Sequence, residues 1–108
     1  MSYNIEDTVR LNNLYDLYQP LLTEKQRQYF MYYFREDYSL SEIADIMEVS
    51  RNAVHLQVKK ITSYLETYEE KLELFKKQQM RQEIIDDLLN HHELTKNIKD
   101  KIKKIEKV

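Results

Sequence analysis

The sequence predicts an all-α protein: a four-helix N-terminal unit built around a helix-turn-helix, followed by a C-terminal helical extension. Three observations carry this. The 108 residues contain no glycine and a single proline, Pro20, so the chain is poor in the residues that make tight turns. Apolar residues recur at helical spacing almost from end to end. Two capping boxes and a further serine cap mark where helices start.

The first helix is expected over Glu6 to Tyr18, where Leu11, Leu14, Tyr15 and Tyr18 fall at i, i+3, i+4 and i+7 and form one apolar face. Pro20 ends it, because the residue before a proline leaves the helical region. Thr23-Glu24-Lys25-Gln26 is a capping box opening a second helix to about Arg35. Leu22, Gln26, Tyr29, Phe30, Tyr33 and Phe34 share one side of it, which predicts an aromatic core rather than a ligand cage. Ser39-Leu40-Ser41-Glu42 opens a short third helix with Leu40, Ile43, Ala44 and Met47 inward. Glu48-Val49 is a turn, and Ser50 caps the fourth helix.

Val54, Val58, Ile61, Leu65, Tyr68, Leu72 and Phe75 are spaced alternately by four and three, a heptad seam. It predicts one continuous or slightly bent helix and, because a chain this small has little to cover it, a homodimer. Ile84, Ile85, Leu88 and Leu89 form another amphipathic stretch, Asn90-His91-His92 a break, and Leu94, Ile98, Ile102 and Ile105 a last helix whose other faces are lysine. The expected division is residues 1–70, with the helix-turn-helix at about 39–60, and residues 71–108, the extension with its lysine-rich tail.

Composition excludes several classes. The absence of cysteine removes disulfides, thiolate zinc sites and a cysteine nucleophile, and fits a cytoplasmic setting. The absence of glycine removes phosphate loops and dinucleotide fingerprints. No apolar run reaches the roughly 20 residues of a membrane span, so no membrane role is expected. No secretory signal is visible in the polar, acidic start from Met1 to Asp7. His91-His92 point about 100° apart on a helix and lack a third ligand, so neither a metal nor any other cofactor is expected. Asp86-Asp87 and Glu69-Glu70 carry no nucleophile partner and no sign of burial, which leaves no catalytic residue and argues against an enzyme.

Formal net charge is −2, so nucleic acid is not advertised globally. Locally, residues 51–65 hold Arg51, Lys59 and Lys60 and no acid, residues 66–73 hold four glutamates against Lys71, and residues 95–108 hold six lysines against Asp100 and Glu106. The lysine-rich tail reads first as a solvated surface and second as an RNA contact.

The segment from Tyr38 to Val58, YSLSEIADIMEVSRNAVHLQV, has the parts a helix-turn-helix needs: the small Ala44 where the helices cross, Val49 as a plug in the turn, the Ser50 cap and the Val54 anchor. Glu42-Ile43-Ala44 and Val49-Ser50-Arg51 resemble the DNA-binding region at the C-terminal end of bacterial sigma factors (region 4). Glu48 stands where that pattern often has glycine, at a position tending to positive φ. The longer run YDLYQPLLTEKQRQYFMYYFREDYSLSEIADIMEVSRNAVH, Tyr15 to His55, is similar to the YlxM family of small bacterial proteins, a likeness that covers about the first seventy to eighty positions. That resemblance implies a regulatory or accessory role in the signal recognition particle pathway, expected first as a DNA-binding regulator or modulator and alternatively as a module that docks on the particle's GTPase or its RNA. If the helix-turn-helix contacts DNA, Arg51, Asn52, His55, Lys59 and Lys60 are the expected nucleic-acid-binding residues, the first four of them placed by helical spacing on the side of helix four away from the seam, with Arg27 and Arg35 adding backbone contacts. Leu56 on that face instead suits a protein partner.

Overall fold

A computed structural model describes residues 3–91 and 93–107 and contains, among them, helices joined by short turns and no strand. Residue contacts divide the chain into two compact units, 1–73 and 74–108. His92 lies outside the described residues, so the expected break is seen only at Asn90 and His91.

In the first unit, α1 runs Ile5–Tyr18, started by Asn4, whose side chain accepts from the Asp7 amide at 2.7 Å. Pro20 sits in a 3₁₀ turn, Gln19–Leu21, as the missing amide of proline permits. Then α2 covers Glu24–Phe30 behind the Thr23/Gln26 capping box, whose two reciprocal bonds are 2.9 and 3.1 Å. The next turn, Met31–Arg35, is a π-helix, with the Glu36 amide bonded five residues back to the Met31 carbonyl at 2.9 Å. The wider turn changes the helical phase. Tyr29 and Phe30 are buried as expected, while Tyr33 and Phe34 are only half-buried.

The third helix, α3, spans Leu40–Met47 behind the Ser39/Glu42 capping box. It ends at Glu48, which adopts the left-handed conformation (φ 56°), while the amides of Glu48 and Val49 both return to the Ala44 carbonyl. The chain has no glycine for this position, so Glu48 carries strain of about 1 kcal/mol. Ser50 then caps α4, Arg51–Leu72, its hydroxyl accepting from the Ala53 amide at 3.0 Å.

The core of this unit is Leu11, Leu14, Tyr15 and Tyr18 from α1, Tyr29 and Phe30 from α2, Ile43 and Ala44 from α3, and Val54, Val58, Ile61 and Leu65 from α4. Tyr15 and Phe30 stack with ring centroids 4.2 Å apart and planes 3° apart. Helices α1, α2 and α3 all pack on α4. The seam expected to need a second copy is thus covered within the chain from Val54 to Leu65.

Nor is helix four continuous to Phe75. It stops where Glu73 turns left-handed (φ 54°) and its amide closes on the Glu69 carbonyl at 2.8 Å. Glu69, Glu70 and Glu73 crowd the negative end of the helix dipole, which favours ending the helix there.

In the second unit, α5 (Leu74–Leu89) packs against α6 (Lys96–Glu106). Thr95 caps α6, accepting from the Ile98 amide at 3.3 Å. Of the apolar positions, Ile85 and Ile102 are buried, whereas Ile84, Leu88, Ile98 and Ile105 are exposed. No helix of the described residues is long and apolar enough to cross a membrane.

Candidate macromolecule-binding face

The second helix of the motif is anchored by its buried seam, and this decides what the opposite side offers. Successive residues turn about 100°. With Val54, Val58, Ile61 and Leu65 buried, Asn52, Leu56, Lys59 and Lys60 point outward, and all four are exposed. Leu56, 57% exposed, is the large apolar side chain in the middle of this set. The Lys60 ammonium lies 5.7 Å from the centre of the Tyr64 ring, a cation–π contact that steadies it.

Two of the five expected nucleic-acid-binding residues are not on this outward strip. His55 is half-buried on the flank of α4. Arg51 is exposed, but it lines a pocket of about 530 Å³ with Tyr33, Phe34, Asp37 and Glu42. Lys59 reaches the edge of a second groove, about 410 Å³, where Asp7 and Arg10 of α1 face Thr62, Ser63 and Glu66 of α4. That groove is closed by a two-pronged ion pair, Arg10 Nε and Nη2 to the Glu66 carboxylate at 2.9 and 2.8 Å, which raises the Arg10 pKa.

The two arginines of helix two, expected to add backbone contacts, are both engaged within the unit. Arg27 donates to the carbonyls of Gln19 (3.2 Å) and Leu22 (2.7 Å), holding the turn after α1. Arg35 binds Asn12 at 2.9 Å and pairs with Asp16, its guanidinium 4.9 Å from the Tyr15 ring centre. Both are satisfied inside the unit, at sequence distances that local patterns do not reveal.

Glu69 is a second correction, because it is buried after all, at 8% exposure, where the Tyr18 hydroxyl donates to it at 2.6 Å. Its spacing from Leu65 placed it at the edge of the seam, the one signal in the sequence.

The field around the motif is balanced. Glu42, Asp45 and Glu48 are exposed on α3 and its turn, equal in number to Arg51, Lys59 and Lys60. The Ser39 backbone amide, then its hydroxyl, holds the Glu42 carboxyl below the usual carboxylate range, so this acid stays charged. Burial, and then the charges of Tyr3 and Asp37, push the Tyr33 phenol up. Among the described residues no group of three or more histidines or carboxylates is placed to hold a metal.

The fold and this face define a helix-turn-helix protein. Comparison with known families places residues 5–106 in the UPF0122 family, the helix-turn-helix proteins of the YlxM / p13 like type, and the chain belongs to that family. It is similar to the UPF0122 protein of Exiguobacterium sp. (47% identical over 102 residues, 94% of this chain and 95% of the relative). It is also similar to that of Geobacillus sp. strain WCH70 (45% over 108 residues, 96% and 98%) and to that of Streptococcus pyogenes serotype M5 (44% over 98 residues, 91% and 87%).

Proposed function

We propose that this protein is a regulatory accessory of the signal recognition particle pathway, a binding protein and not an enzyme, that docks through the outward face of α4. The observation that carries the docking is Leu56, exposed at the centre of that face between Asn52, Lys59 and Lys60. An aliphatic side chain there gains from desolvation against a partner surface. The balance of three bases and three acids around the motif suits a partner of mixed charge better than bare duplex DNA, which rewards uncompensated cations. The resemblance to the YlxM family supplies the candidate partner, the particle's GTPase or its RNA complex.

A DNA-binding regulator is the second reading, favoured by Asn52, Lys59 and Lys60 standing outward on the second helix of the motif. Asparagine can pair with an adenine edge, and lysines hold phosphates. A pull-down on the GTPase and its RNA complex, run beside a gel shift on DNA, separates the two. Leu56→Asp should abolish capture, and Leu56→Ala, which places no charge opposite phosphates, should weaken capture while leaving any DNA shift largely intact. Lys59→Ala with Lys60→Ala should flatten the salt dependence of a DNA shift by about two phosphates' worth. Capture unaffected by Leu56→Asp refutes docking through this face.

A further inference from the structure

The pocket beside Arg51 is lined by aromatic rings at the rim of the core, with Phe34 packed on Phe30 at 4.6 Å between ring centroids and Tyr38 stacked on Tyr32 at 5.5 Å, which leaves each ring another side toward the pocket. Tyr33, Phe34 and Tyr38 are all half-buried, and Tyr3 closes over them, its ring meeting Tyr33 at 6.2 Å and Phe34 at 5.2 Å, both edge-on. The walls exist because of the π turn Met31–Arg35, which brings Tyr33 and Phe34 out of the core's register; π turns of this kind recur at binding sites. The lining also carries two exposed carboxylates, Asp37 and Glu42, against one guanidinium, Arg51, which leaves one negative charge. Asp37 is itself held left-handed (φ 57°), in the bend that follows the π turn.

Ring faces beside carboxylates attract a cation, and a flat guanidinium satisfies both at once, stacking on a ring face while its N–H groups pair with oxygen. The chain already uses this mode elsewhere: Arg35 lies over Tyr15 while it pairs with Asp16. We propose that the pocket bounded by Tyr33, Tyr38, Asp37 and Glu42 receives an arginine side chain of a partner polypeptide. Three of the chain's own five arginines, Arg10, Arg27 and Arg35, are held within their unit and are not candidates. The proposal does not depend on the outward face of α4, since Asp37 and Tyr33 lie on neither side of that helix.

The test is an NMR titration of the full ¹⁵N-labelled chain with N-acetyl-arginine methylamide, and with the citrulline and lysine equivalents. The arginine compound should give saturable shifts at the Tyr33, Asp37 and Tyr38 amides, with a dissociation constant on the order of 1 mM for so small a probe. The neutral citrulline compound should give none, and the lysine compound should bind more weakly. Asp37→Asn keeps a residue that tolerates the left-handed backbone, and it should weaken arginine binding about three- to fivefold with an unchanged melting temperature. Tyr33→Leu should weaken it by a similar factor. Arg51→Ala removes the pocket's own cation and should strengthen it. Absence of saturable shifts, equal binding of citrulline or lysine, or loss of binding in Arg51→Ala would each overturn the proposal.

Discussion

The Tyr18 hydroxyl and the Glu69 carboxylate, fifty-one residues apart, meet at 2.6 Å where the end of α1 crosses the last turns of α4. Tyr18 is 1% exposed and Glu69 8%, so each removes from water a polar group that the other satisfies. Leaving one partner of such a buried bond unsatisfied costs about 1–3 kcal/mol. Tyr18→Phe keeps the ring's packing and removes the donor. It should lower stability by about 1–3 kcal/mol, a drop on the order of 5–15 °C in melting temperature for a unit of this size. Thermal unfolding followed by circular dichroism measures it, and an unchanged midpoint would mean that the bond contributes nothing.

The parts of this fold that were legible beforehand are those decided locally. Thr23 with Gln26, Ser39 with Glu42, and Ser50 all announce helix starts within four residues, and each cap forms. What stayed hidden is decided across the chain or by backbone geometry. The π turn leaves no trace in the pattern of Tyr29, Phe30, Tyr33 and Phe34, which reads as a regular helix. Arg27 and Arg35 looked free because their partners, Gln19, Leu22, Asn12 and Asp16, lie on other elements. Within the candidate face, Leu56, Asn52, Lys59 and Lys60 follow from helical spacing, whereas the pocket that takes Arg51 depends on how α2 and α3 approach α4.

Glu48 in the turn of the helix-turn-helix tests the strain argument. Its φ of 56° is a conformation that asparagine and glycine reach more easily than glutamate. Glu48→Gly should stabilise the unit by up to about 1 kcal/mol, worth roughly 4–8 °C, with part of the gain offset by the extra freedom of glycine when unfolded. Glu48→Val, with a β-branched side chain in that region, should destabilise it. Both midpoints can be read in one series of melts, and the opposite order would show that the turn relaxes around the side chain.

The capping box of α3 should show in the acid limb of stability. Glu42 has its carboxyl held below the usual value by the Ser39 amide and then the Ser39 hydroxyl. A group whose folded pKa is depressed contributes stability that is present above its unfolded pKa and is lost as pH falls through the folded value. The contribution of Glu42 should therefore be intact at neutral pH and fade below the ordinary carboxylate range. Glu42→Gln can keep both hydrogen bonds of the box but cannot titrate. Denaturant midpoints between neutral and acidic pH should fall less steeply for Glu42→Gln than for the parent, and identical slopes would refute the assignment.

The seam of α4 decides how this chain can self-associate. A heptad pattern read from sequence does not say whether its partner is another copy or another helix of the same chain. Here Val54, Val58, Ile61 and Leu65 are covered by α1, α2 and α3, and Val58 is 1% exposed. A homodimer cannot be built on Val54 to Leu65 without unfolding this core. The two arrangements respond differently to a charge placed on the seam. At a dimer interface, Val58→Asp would separate two folded chains. In an intramolecular core it buries an unpaired carboxylate, which costs several kcal/mol, comparable to the whole stability of a small domain. Val58→Asp should thus abolish the cooperative melt and the helical signal. Leu56→Asp, two residues away but exposed, should leave both within about 0.5 kcal/mol of the parent. Circular dichroism with sedimentation equilibrium on the two variants reads the difference, and a folded monomeric Val58→Asp chain would show that the seam is an interface after all.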